Sequence, residues 1–230
     1  MRGAFITGTD TGVGKTLVAA AMIRMLARAG LKTVGMKPVA SGALATPDGL
    51  RNHDALQLQA AASLPRPYAL VNPYAFVPPI APHLAAAETG ATIALPRILE
   101  SFRQLCEGAD AVIVEGVGGW QVPLGDSWGV PELARALGLP VILVVGLRLG
   151  CLNHARLSAR AIQADGLRLA GWVANSIDPG FERRAENLAT LAQSLNTPPV
   201  GDIPWRPGST LEERAACFDI GKILGLLNAG

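Results

Sequence analysis

Residues 8–16 read GTDTGVGKT and lie between a short apolar run and a strongly helix-forming sequence. A strand, a glycine-containing loop and a helix in this order are the context of a phosphate-binding loop. Gly12 and Gly14 allow successive backbone N–H groups to turn toward one anion, and the start of the following helix adds positive potential there. Lys15 is placed to reach the terminal phosphates, and the Thr16 hydroxyl is placed to bind magnesium. The stretch therefore predicts a nucleoside triphosphate site.

The loop departs from the strict phosphate-loop pattern at one position. That pattern has glycine five residues before Gly14, where this chain has Thr9, with Gly8 one residue earlier. An ordinary glycine-rich turn between a strand and a helix is the alternative, and the order of the elements favours the phosphate loop. Nucleotide contacts are expected from Gly12, Val13, Gly14, Lys15, Thr16 and Leu17.

Composition limits the function classes that the chain can belong to. Half of the 230 residues are hydrophobic, 17% are charged and the net charge is +2, which excludes a disordered chain and favours one domain over residues 1–230. No run of Lys or Arg is longer than the pair Arg183 and Arg184, so nucleic-acid or membrane-surface binding has little support. No apolar run approaches the ~20 residues of a membrane helix, and no signal-type region precedes the loop. We expect a cytoplasmic protein with neither nucleic-acid nor membrane partners.

Continuous apolar runs alternate with helix-forming stretches along the chain. Strands are predicted over residues 3–7, 33–36, 111–114, 141–145, 169–174 and 200–203. Helices are predicted over residues 16–29, 55–61, 82–88, 96–107, 130–137, 153–164 and 182–194, with one more near the C-terminus. The proline-rich residues 64–82 are predicted to be an irregular connection over the sheet. Fully apolar strands are typical of parallel sheets covered on both faces. The predicted fold is α/β and P-loop NTPase-like: a doubly wound, mostly parallel sheet with helices on both faces.

Charged residues follow the carboxyl ends of two predicted strands, where ligands bind in doubly wound sheets. Lys37 ends the second strand, and with Lys15 it would supply a second cation to a polyanionic transition state. Glu115 follows a fully apolar strand, as does the acidic residue that directs the metal in P-loop proteins. A solvated edge charge is the alternative interpretation of Lys37, and a structural carboxylate is the alternative for Glu115.

Two further polar residues allow two interpretations each. Asp54 falls in the first turn of a helix that Asn52 or His53 could cap, so it is either a metal ligand or an acid favoured by the helix dipole. Asn175 follows the strand over residues 169–174, and its amide can pair with a donor and an acceptor on a purine edge. An ordinary asparagine in a left-handed turn is the alternative for Asn175.

Taken together, these motifs resemble one known family over residues 4 to about 205. They are GTDT with VGKT (8–11 and 13–16), KPVASG (37–42), Asn52 with Asp54, NPY (72–74), EG with GGW (115–116 and 118–120), LGCLNH (149–154) and GWVAN (171–175). In this order the motifs resemble those of the dethiobiotin synthases. The tail after residue 206 matches poorly.

The resemblance implies an ATP-dependent ring closure in biotin synthesis. The substrates would be 7,8-diaminononanoate and carbon dioxide, and the products dethiobiotin, ADP and phosphate. One amine becomes a carbamate, ATP phosphorylates the carbamate, and the second amine closes the ureido ring with loss of phosphate. The family is homodimeric, and the substrate carboxylate would be bound by residues of the neighbouring subunit: Gly150, Cys151 and Asn153.

The resemblance also assigns roles to individual residues of the site. Lys15 would hold the phosphates, and Lys37 would stabilise the carbamate and the transferring group. Thr11 is also implied to be catalytic, and with Ser41 it would hydrogen-bond the diamine or its carbamate. The implied Mg²⁺ ligands, all with the oxygen donors that this ion prefers, are Thr16, Asp54 and Glu115.

Nucleotide contacts outside the loop are implied as well. The residues are Asp54, Glu115, Gly116, Val117, Gly118, Asn175, Ser176, Pro204, Trp205 and Arg206. Asn175 would bind the adenine, with residues 204–206 lining the base, and Glu212 or Glu213 is the candidate ribose contact. Some family members carry glutamate where this chain has Gly12, and we expect the backbone of the loop to function without that side chain.

Two other classes share parts of this pattern. Partitioning-type P-loop ATPases, which act as nucleotide switches, carry an extra lysine early in the loop, where this chain has Asp10 and Thr11. The chain also lacks a basic amphipathic helix of the membrane-attaching type at its C-terminus. Amidotransferase-linked synthetases need a glutaminase region with a nucleophilic cysteine, which the sequence does not show. Both alternatives are weaker than the dethiobiotin synthase interpretation.

Overall fold

The computed structural model describes residues 2–227 and contains one large parallel sheet. The strands are β1 (Arg2–Gly8), β2 (Thr33–Met36), β3 (Val39–Ser41), β4 (Leu44–Thr46), β5 (Gly49–Arg51), β6 (Tyr74–Phe76), β7 (Ala111–Glu115), β8 (Val141–Leu147), β9 (Leu169–Ser176) and β10 (Gly201–Ile203). Six of them pair in the order β10-β9-β8-β1-β7-β2, and each neighbouring pair is parallel. The chain passes from one side of β1 to the other between β7 and β8. The winding therefore reverses beside β1, which is where ligands bind in such sheets.

Helices cover both faces of this sheet. They are α1 (Lys15–Arg28), α2 (His53–Ala61), α3 (Tyr68–Val71), α4 (Pro82–Glu88), α5 (Leu95–Leu105), α6 (Val130–Leu137), α7 (Cys151–Ala164), α8 (Arg184–Ser194), α9 (Leu211–Ala215) and α10 (Ile220–Leu227). Successive residues of a strand point to opposite faces. Ala4 and Ile6 of β1 pack with α1, α9 and α10, whereas Phe5 packs with α5, α6 and α7. The predicted fold class is confirmed.

The ends of α1 and α2 follow from local sequence. Gly30 has φ 85°, and Leu31 N–H donates to the Leu26 carbonyl at 3.2 Å, so a left-handed glycine closes α1. The Asn52 side chain accepts from Ala55 N–H at 3.2 Å and caps α2. The cap places Asp54 in the first turn of α2.

The proline-rich passage is the main difference from the prediction. Residues 64–82 are not irregular throughout, because they contain α3 and β6, and β6 pairs in parallel with β3. Single-sequence patterns do not show this pairing, since strands of three residues have too little periodicity. The β4–β5 hairpin was also missed, and the C-terminal part contains two helices, α9 and α10, instead of one. Within residues 2–227, none of the helices has the length and apolar character needed to span a membrane.

Candidate active site

The phosphate loop leaves the carboxyl end of β1 and winds directly into α1. Gly12 has φ 76° and Gly14 has φ 89°, a backbone region that suits glycine and turns successive N–H groups toward a common point. A Cβ on Gly8 would lie 2.7 Å from the Val13 side chain, so Gly8 allows the loop to fold back on its own strand. At the position that departs from the strict pattern, Thr9 N–H continues the pairing with β8 through the Val144 carbonyl at 3.0 Å.

A cleft of about 650 Å³ opens beside this loop, at the carboxyl ends of β1, β2 and β7. It is lined by eleven of the predicted site residues: Thr11, Gly12, Gly14, Lys15, Thr16, Lys37, Ser41, Asp54, Glu115, Val117 and Gly118. The opposite wall is largely apolar and was not predicted: Ala40, Pro79, Ile80, Ala81, Pro82 and Val122. The cleft therefore joins a charged half to a hydrophobic half.

Lys37 is the centre of the charged half. Its ammonium lies 2.6 Å from Glu115 Oε1 and 3.3 Å from Asp54 Oδ2, and it donates to the Gly116 carbonyl at 3.1 Å. Lys37 is 3% exposed and Glu115 is 1% exposed, so this pair is removed from water. Lys37 is therefore not a solvated edge charge. The Thr16 hydroxyl donates to the same Glu115 oxygen at 2.8 Å and joins the phosphate loop to the pair.

The two lysines of the cleft differ in their surroundings. Burial, and then the nearby Lys37 charge, lower the pKa of Lys15 to about 8, although Glu115 and the aspartates oppose this shift. Burial also disfavours the charged form of Lys37, but the adjacent Glu115 and Asp54 carboxylates outweigh it and raise the pKa of Lys37. Lys15 donates to the Asp10 carbonyl at 2.9 Å. Among residues 2–227, Lys15 thus has no carboxylate in hydrogen-bond contact, which suits a group that binds phosphate.

The same cluster has the donors for a Mg²⁺ ion. Glu115 Oε1 is occupied by Lys37 and Thr16, but Glu115 Oε2 is buried and has no hydrogen-bond partner among residues 2–227. Asp54 is 39% exposed at its side chain and opens on the cleft. In the described part of the chain no three His, Cys, Asp or Glu side chains group into a metal site. The residues fit an ion that takes few protein oxygens and completes its shell with phosphate and water, as Mg²⁺ does.

A buried polar network holds Lys37 in place, and the sequence alone assigned no role to its members Asn72 and Tyr68. The Asn72 amide donates to the Lys37 carbonyl at 2.7 Å and to the Tyr74 carbonyl at 3.0 Å. The Tyr68 hydroxyl donates to Asn72 at 2.9 Å and accepts from Asn52 N–H at 2.7 Å. Burial raises the pKa of Tyr68. The NPY and Asn52 motifs were visible signals, but their function depends on contacts that only the fold creates.

The residues predicted to bind the base lie outside the lining of this cleft. Asn175 and Ser176 belong to β9, so Asn175 is not in a left-handed turn, and its amide donates to the Val13 carbonyl at 2.8 Å. Ser176 accepts from Arg184 at 2.9 Å. Residues 204–206 follow β10, the strand beside β9, and Trp205 is 49% exposed. Asn175 thus contacts the phosphate loop, whereas Trp205 and Arg206 are exposed beyond the end of β10.

Two glutamates that were alternatives for a ribose contact have other partners. Glu212 lies 3.7 Å from Arg24 of α1. Glu213 accepts from Thr210 N–H at 2.7 Å and forms a capping box at the start of α9. Leu17 lies in the first turn of α1 and packs against the core.

The predicted carboxylate-binding residues also lie away from the cleft lining. Gly150, with φ 94°, precedes α7, and Asn153 is exposed. The Cys151 thiol is buried at 2% exposure, and Cys151 N–H donates to the Arg148 carbonyl at 3.0 Å. Arg148 in turn forms an ion pair with Asp10 at 2.5 Å. No sequence signal indicated this link between the phosphate loop and the segment before α7.

Comparisons with known proteins agree on fold and family. A family model described as an AAA domain matches residues 2–213. Two solved structures share the fold over the whole chain: the MinC:MinD cell division protein complex of Aquifex aeolicus (15% identity, 97% of that chain, TM-score 0.59) and a ParA family ATPase from Chlorobium tepidum (13%, 94%, 0.54). At these identities the likeness concerns the fold alone.

Curated relatives are much more similar in sequence. The ATP-dependent dethiobiotin synthetase BioD of Xanthomonas euvesicatoria is 54% identical over 92% of this chain and 94% of its own length. The protein of the same name from Xylella fastidiosa is 54% identical over 88% of this chain and 90% of its own. Identity at this level over most of both chains shows that the protein belongs to the ATP-dependent dethiobiotin synthetase family.

Proposed function

We propose that this protein is an ATP-dependent dethiobiotin synthetase, a ligase that forms carbon–nitrogen bonds from 7,8-diaminononanoate and carbon dioxide. One observation carries the proposal beyond family membership. Two lysines, Lys15 and Lys37, converge with Glu115 on a phosphate loop in a chain 54% identical to synthetases of that name. A site of this kind stabilises charge on a transferring phosphoryl group.

The reaction has three steps, and each needs a different property of the cleft. One amine attacks carbon dioxide and loses a proton, which gives a carbamate. A carbamate oxygen then attacks the γ-phosphorus of ATP, and ADP leaves. The second amine attacks the carbonyl carbon of this mixed anhydride, phosphate leaves with the electron pair of the broken C–O bond, and the ureido ring closes. Phosphorylation is required because a carbamate anion is a poor electrophile.

The charged half of the cleft would serve the phosphoryl transfer. We infer that Lys15 leaves the Asp10 carbonyl to contact the β- and γ-phosphates. Lys37, fixed by Glu115, would face the carbamate and the transferring group. The Ser41 hydroxyl lines the cleft and is buried without a hydrogen-bond partner in the described residues, which supports its assignment to the diamine or carbamate. Thr11 is exposed at the mouth and would contribute a second hydroxyl.

Mg²⁺ is proposed as the metal of this site. Thr16, Glu115 and Asp54 would hold it, and the free Oε2 of Glu115 supports the assignment. When bound, the ion offsets negative charge between the β- and γ-phosphates. Lys37 donates to the Gly116 carbonyl, and Val117 and Gly118 line the cleft, which supports residues 116–118 as part of the nucleotide site.

The base and the substrate carboxylate are assigned to residues outside the lining of the cleft. Asn175 and Ser176, with Pro204, Trp205 and Arg206, would form the adenine pocket. Gly150, Cys151 and Asn153 would bind the carboxylate from the neighbouring subunit of a homodimer. Two observations support a contribution from outside the chain: these residues do not line the cleft of their own chain, and the adjacent Leu149 is 91% exposed. Use of ATP and three free thiols support a cytoplasmic location.

A mixture of two inactive variants tests the shared site. Lys37→Ala chains mixed with Asn153→Asp chains should regain activity, because one site of each mixed dimer has an intact Lys37 and an intact Asn153. Lys37→Ala chains mixed with Asp54→Asn chains are the matched control: both changes lie in one chain's half of the site, so each site of a mixed dimer carries one of them and should stay inactive. If the Lys37→Ala and Asn153→Asp mixture stays as inactive as the control although mixed dimers form, residues 150–153 act within their own chain.

The function itself is tested by phosphate release. Purified protein with the diamine, bicarbonate, ATP and Mg²⁺ should release phosphate at a rate that depends on the diamine. Phosphate release that is the same with and without the diamine would refute the assignment and would favour a switch-type ATPase.

A further inference from the structure

The Asn175 side chain contacts the phosphate loop directly, 162 residues away in sequence. Asn175 Nδ2 lies 2.8 Å from the Val13 carbonyl oxygen, and the residue is 4% exposed. A carbonyl oxygen can only accept a hydrogen bond, so the amide nitrogen, not the amide oxygen, must face it. This buried hydrogen bond therefore restricts the conformation of the phosphate loop.

The peptide between Val13 and Gly14 is the unit that this hydrogen bond holds. The bond is planar and trans, so its carbonyl and its N–H point in opposite directions. With the carbonyl directed at β9, the Gly14 N–H is directed away from β9. A Cβ on Gly14 would lie 2.2 Å from Asn175 Nδ2, so Gly14 leaves room for the amide in addition to allowing φ 89°. Contact with Asn175 thus fixes the orientation of one N–H at the start of α1.

Asn175 can act in this way because its own backbone is held firmly. It lies in β9 opposite Gly146 of β8 and Ile203 of β10, so strands flank it on both sides. Val13 packs on Gly146 as well, since a Cβ there would lie 2.9 Å from the Val13 side chain. Side chains held on regular strands position a site more precisely than side chains on loops.

We propose that Asn175 is a positioning residue of the phosphate loop as well as a contact to the base. One N–H of its amide holds the Val13–Gly14 peptide. The second N–H and the carbonyl oxygen remain for the purine edge, because an asparagine amide has two donors and one acceptor oxygen. The same side chain then links recognition of the base to the geometry of the loop that binds the phosphates. The proposal rests on the proposed function only in that a triphosphate occupies the loop.

Inorganic triphosphate separates the two roles, because it has phosphates but no base. Asn175→Leu keeps the size of the side chain and removes its donors. We expect this variant to bind inorganic triphosphate about 10-fold more weakly than the unaltered protein in calorimetry, from the loss of one buried hydrogen bond. The affinity of this variant for ATP should fall by at least the same factor. Trp205→Ala is the matched control. It should weaken the binding of ATP and leave the affinity for inorganic triphosphate unchanged.

Asn175→Ala is the second variant, in case leucine disturbs the strand. Unchanged affinity of both Asn175 variants for inorganic triphosphate would overturn the proposal and leave Asn175 as a base contact alone. A defect that is only structural lowers the number of sites per chain and leaves their Kd unchanged, and that result would overturn it too. The binding experiment needs no diamine and no turnover, so it remains decisive even if the synthetase assignment fails.

Discussion

The two halves of the candidate site are built differently. Around the phosphate loop, Lys37 and Glu115 are almost fully buried, and each is held by several hydrogen bonds within one chain. Among the residues assigned to the base and to the carboxylate, Trp205, Arg206 and Asn153 are exposed, whereas Asn175 and Cys151 are buried. The fold therefore fixes the groups assigned to the chemistry before any ligand arrives. Recognition of the base and of the carboxylate depends partly on exposed side chains, where a ligand or a second subunit can complete the site.

This difference has an energetic cost for the buried half. A buried ion pair loses much of its Coulomb gain to desolvation, so Lys37 and Glu115 add little to the stability of the fold. Their arrangement is explained by catalysis, since preorganised charges need no rearrangement when the transition state forms. The exposed half carries no such cost. Substitutions in the two halves should accordingly affect stability and turnover in different proportions.

Lys37→Ala should have the largest effect. Turnover should fall roughly 100- to 1000-fold because a cation that faces the transferring group is lost. The free energy of unfolding should also fall by about 3–5 kcal/mol, since Glu115 is left buried and without its partner. Steady-state kinetics and denaturant unfolding measure the two effects.

The double variant Lys37→Ala/Glu115→Gln separates these losses. Removal of the Glu115 charge should restore most of the lost free energy of unfolding. Turnover should stay as low as in Lys37→Ala. Stability that does not recover would show that the alanine damages packing, and turnover that survives in Lys37→Ala would remove this residue from the mechanism.

Asn72→Ala should reduce turnover by roughly 10- to 100-fold, although Asn72 is not assigned a contact to the substrate. The Lys37 and Tyr74 carbonyls lose their buried donors, and the backbone that carries Lys37 is no longer fixed. The effect should appear in kcat at saturating ATP. Asn187→Ala is the control, since the Asn187 side chain donates to the Arg183 carbonyl at the exposed start of α8. Equal kinetics of the two variants would show that the network does not support Lys37.

Trp205→Ala tests the exposed half. We expect about a 10-fold rise in KM for ATP, as for the loss of one base–aromatic stacking contact. Both kcat and the unfolding midpoint should stay near those of the unaltered protein, because the side chain is half exposed and does not line the cleft that contains Lys37. A fall in kcat as large as that of Asn72→Ala would remove the distinction between the two halves.

The smallest expected effect is the uptake of less than one proton when ATP binds. With its pKa lowered to about 8, Lys15 is mostly neutral in the free protein at pH 9 and protonated at pH 7. A bound polyanion favours the charged form, so ATP binding should take up a proton at Lys15 at pH 9 and not at pH 7. Calorimetry in buffers of different ionisation enthalpy measures this uptake. Lys15→Arg should abolish it, and an unchanged uptake in this variant would assign the proton to another group.

The loop, Lys37 and Glu115 could be predicted because their signals are local. A glycine pattern between a strand and a helix, or a charge after a fully apolar run, can be recognised in a few consecutive residues. The parallel sheet could be predicted for the same reason, since its strands are continuous apolar runs. Asp54 followed from the Asn52 cap, which is also a local signal.

The contacts that organise the site could not be predicted in this way. Asn72 lies 35 residues from the Lys37 carbonyl that it binds, and Arg148 lies 138 residues from Asp10. Residues of this kind have no recognisable spacing, because the folded chain alone brings them together. The apolar wall at residues 79–82 was missed for a related reason: prolines were interpreted as a connection and not as a surface. The roles assigned to the site residues stay predictions until they are tested by substitution.

One measurement tests the central claim most directly. Bicarbonate labelled with ¹³C is supplied with the diamine, ATP and Mg²⁺, and the products are analysed by mass spectrometry and phosphate assay. The account predicts a cyclic urea that carries the label at its carbonyl carbon, with equal amounts of phosphate and product. Phosphate release without a labelled urea, or a rate that is unaffected by the diamine, would contradict it.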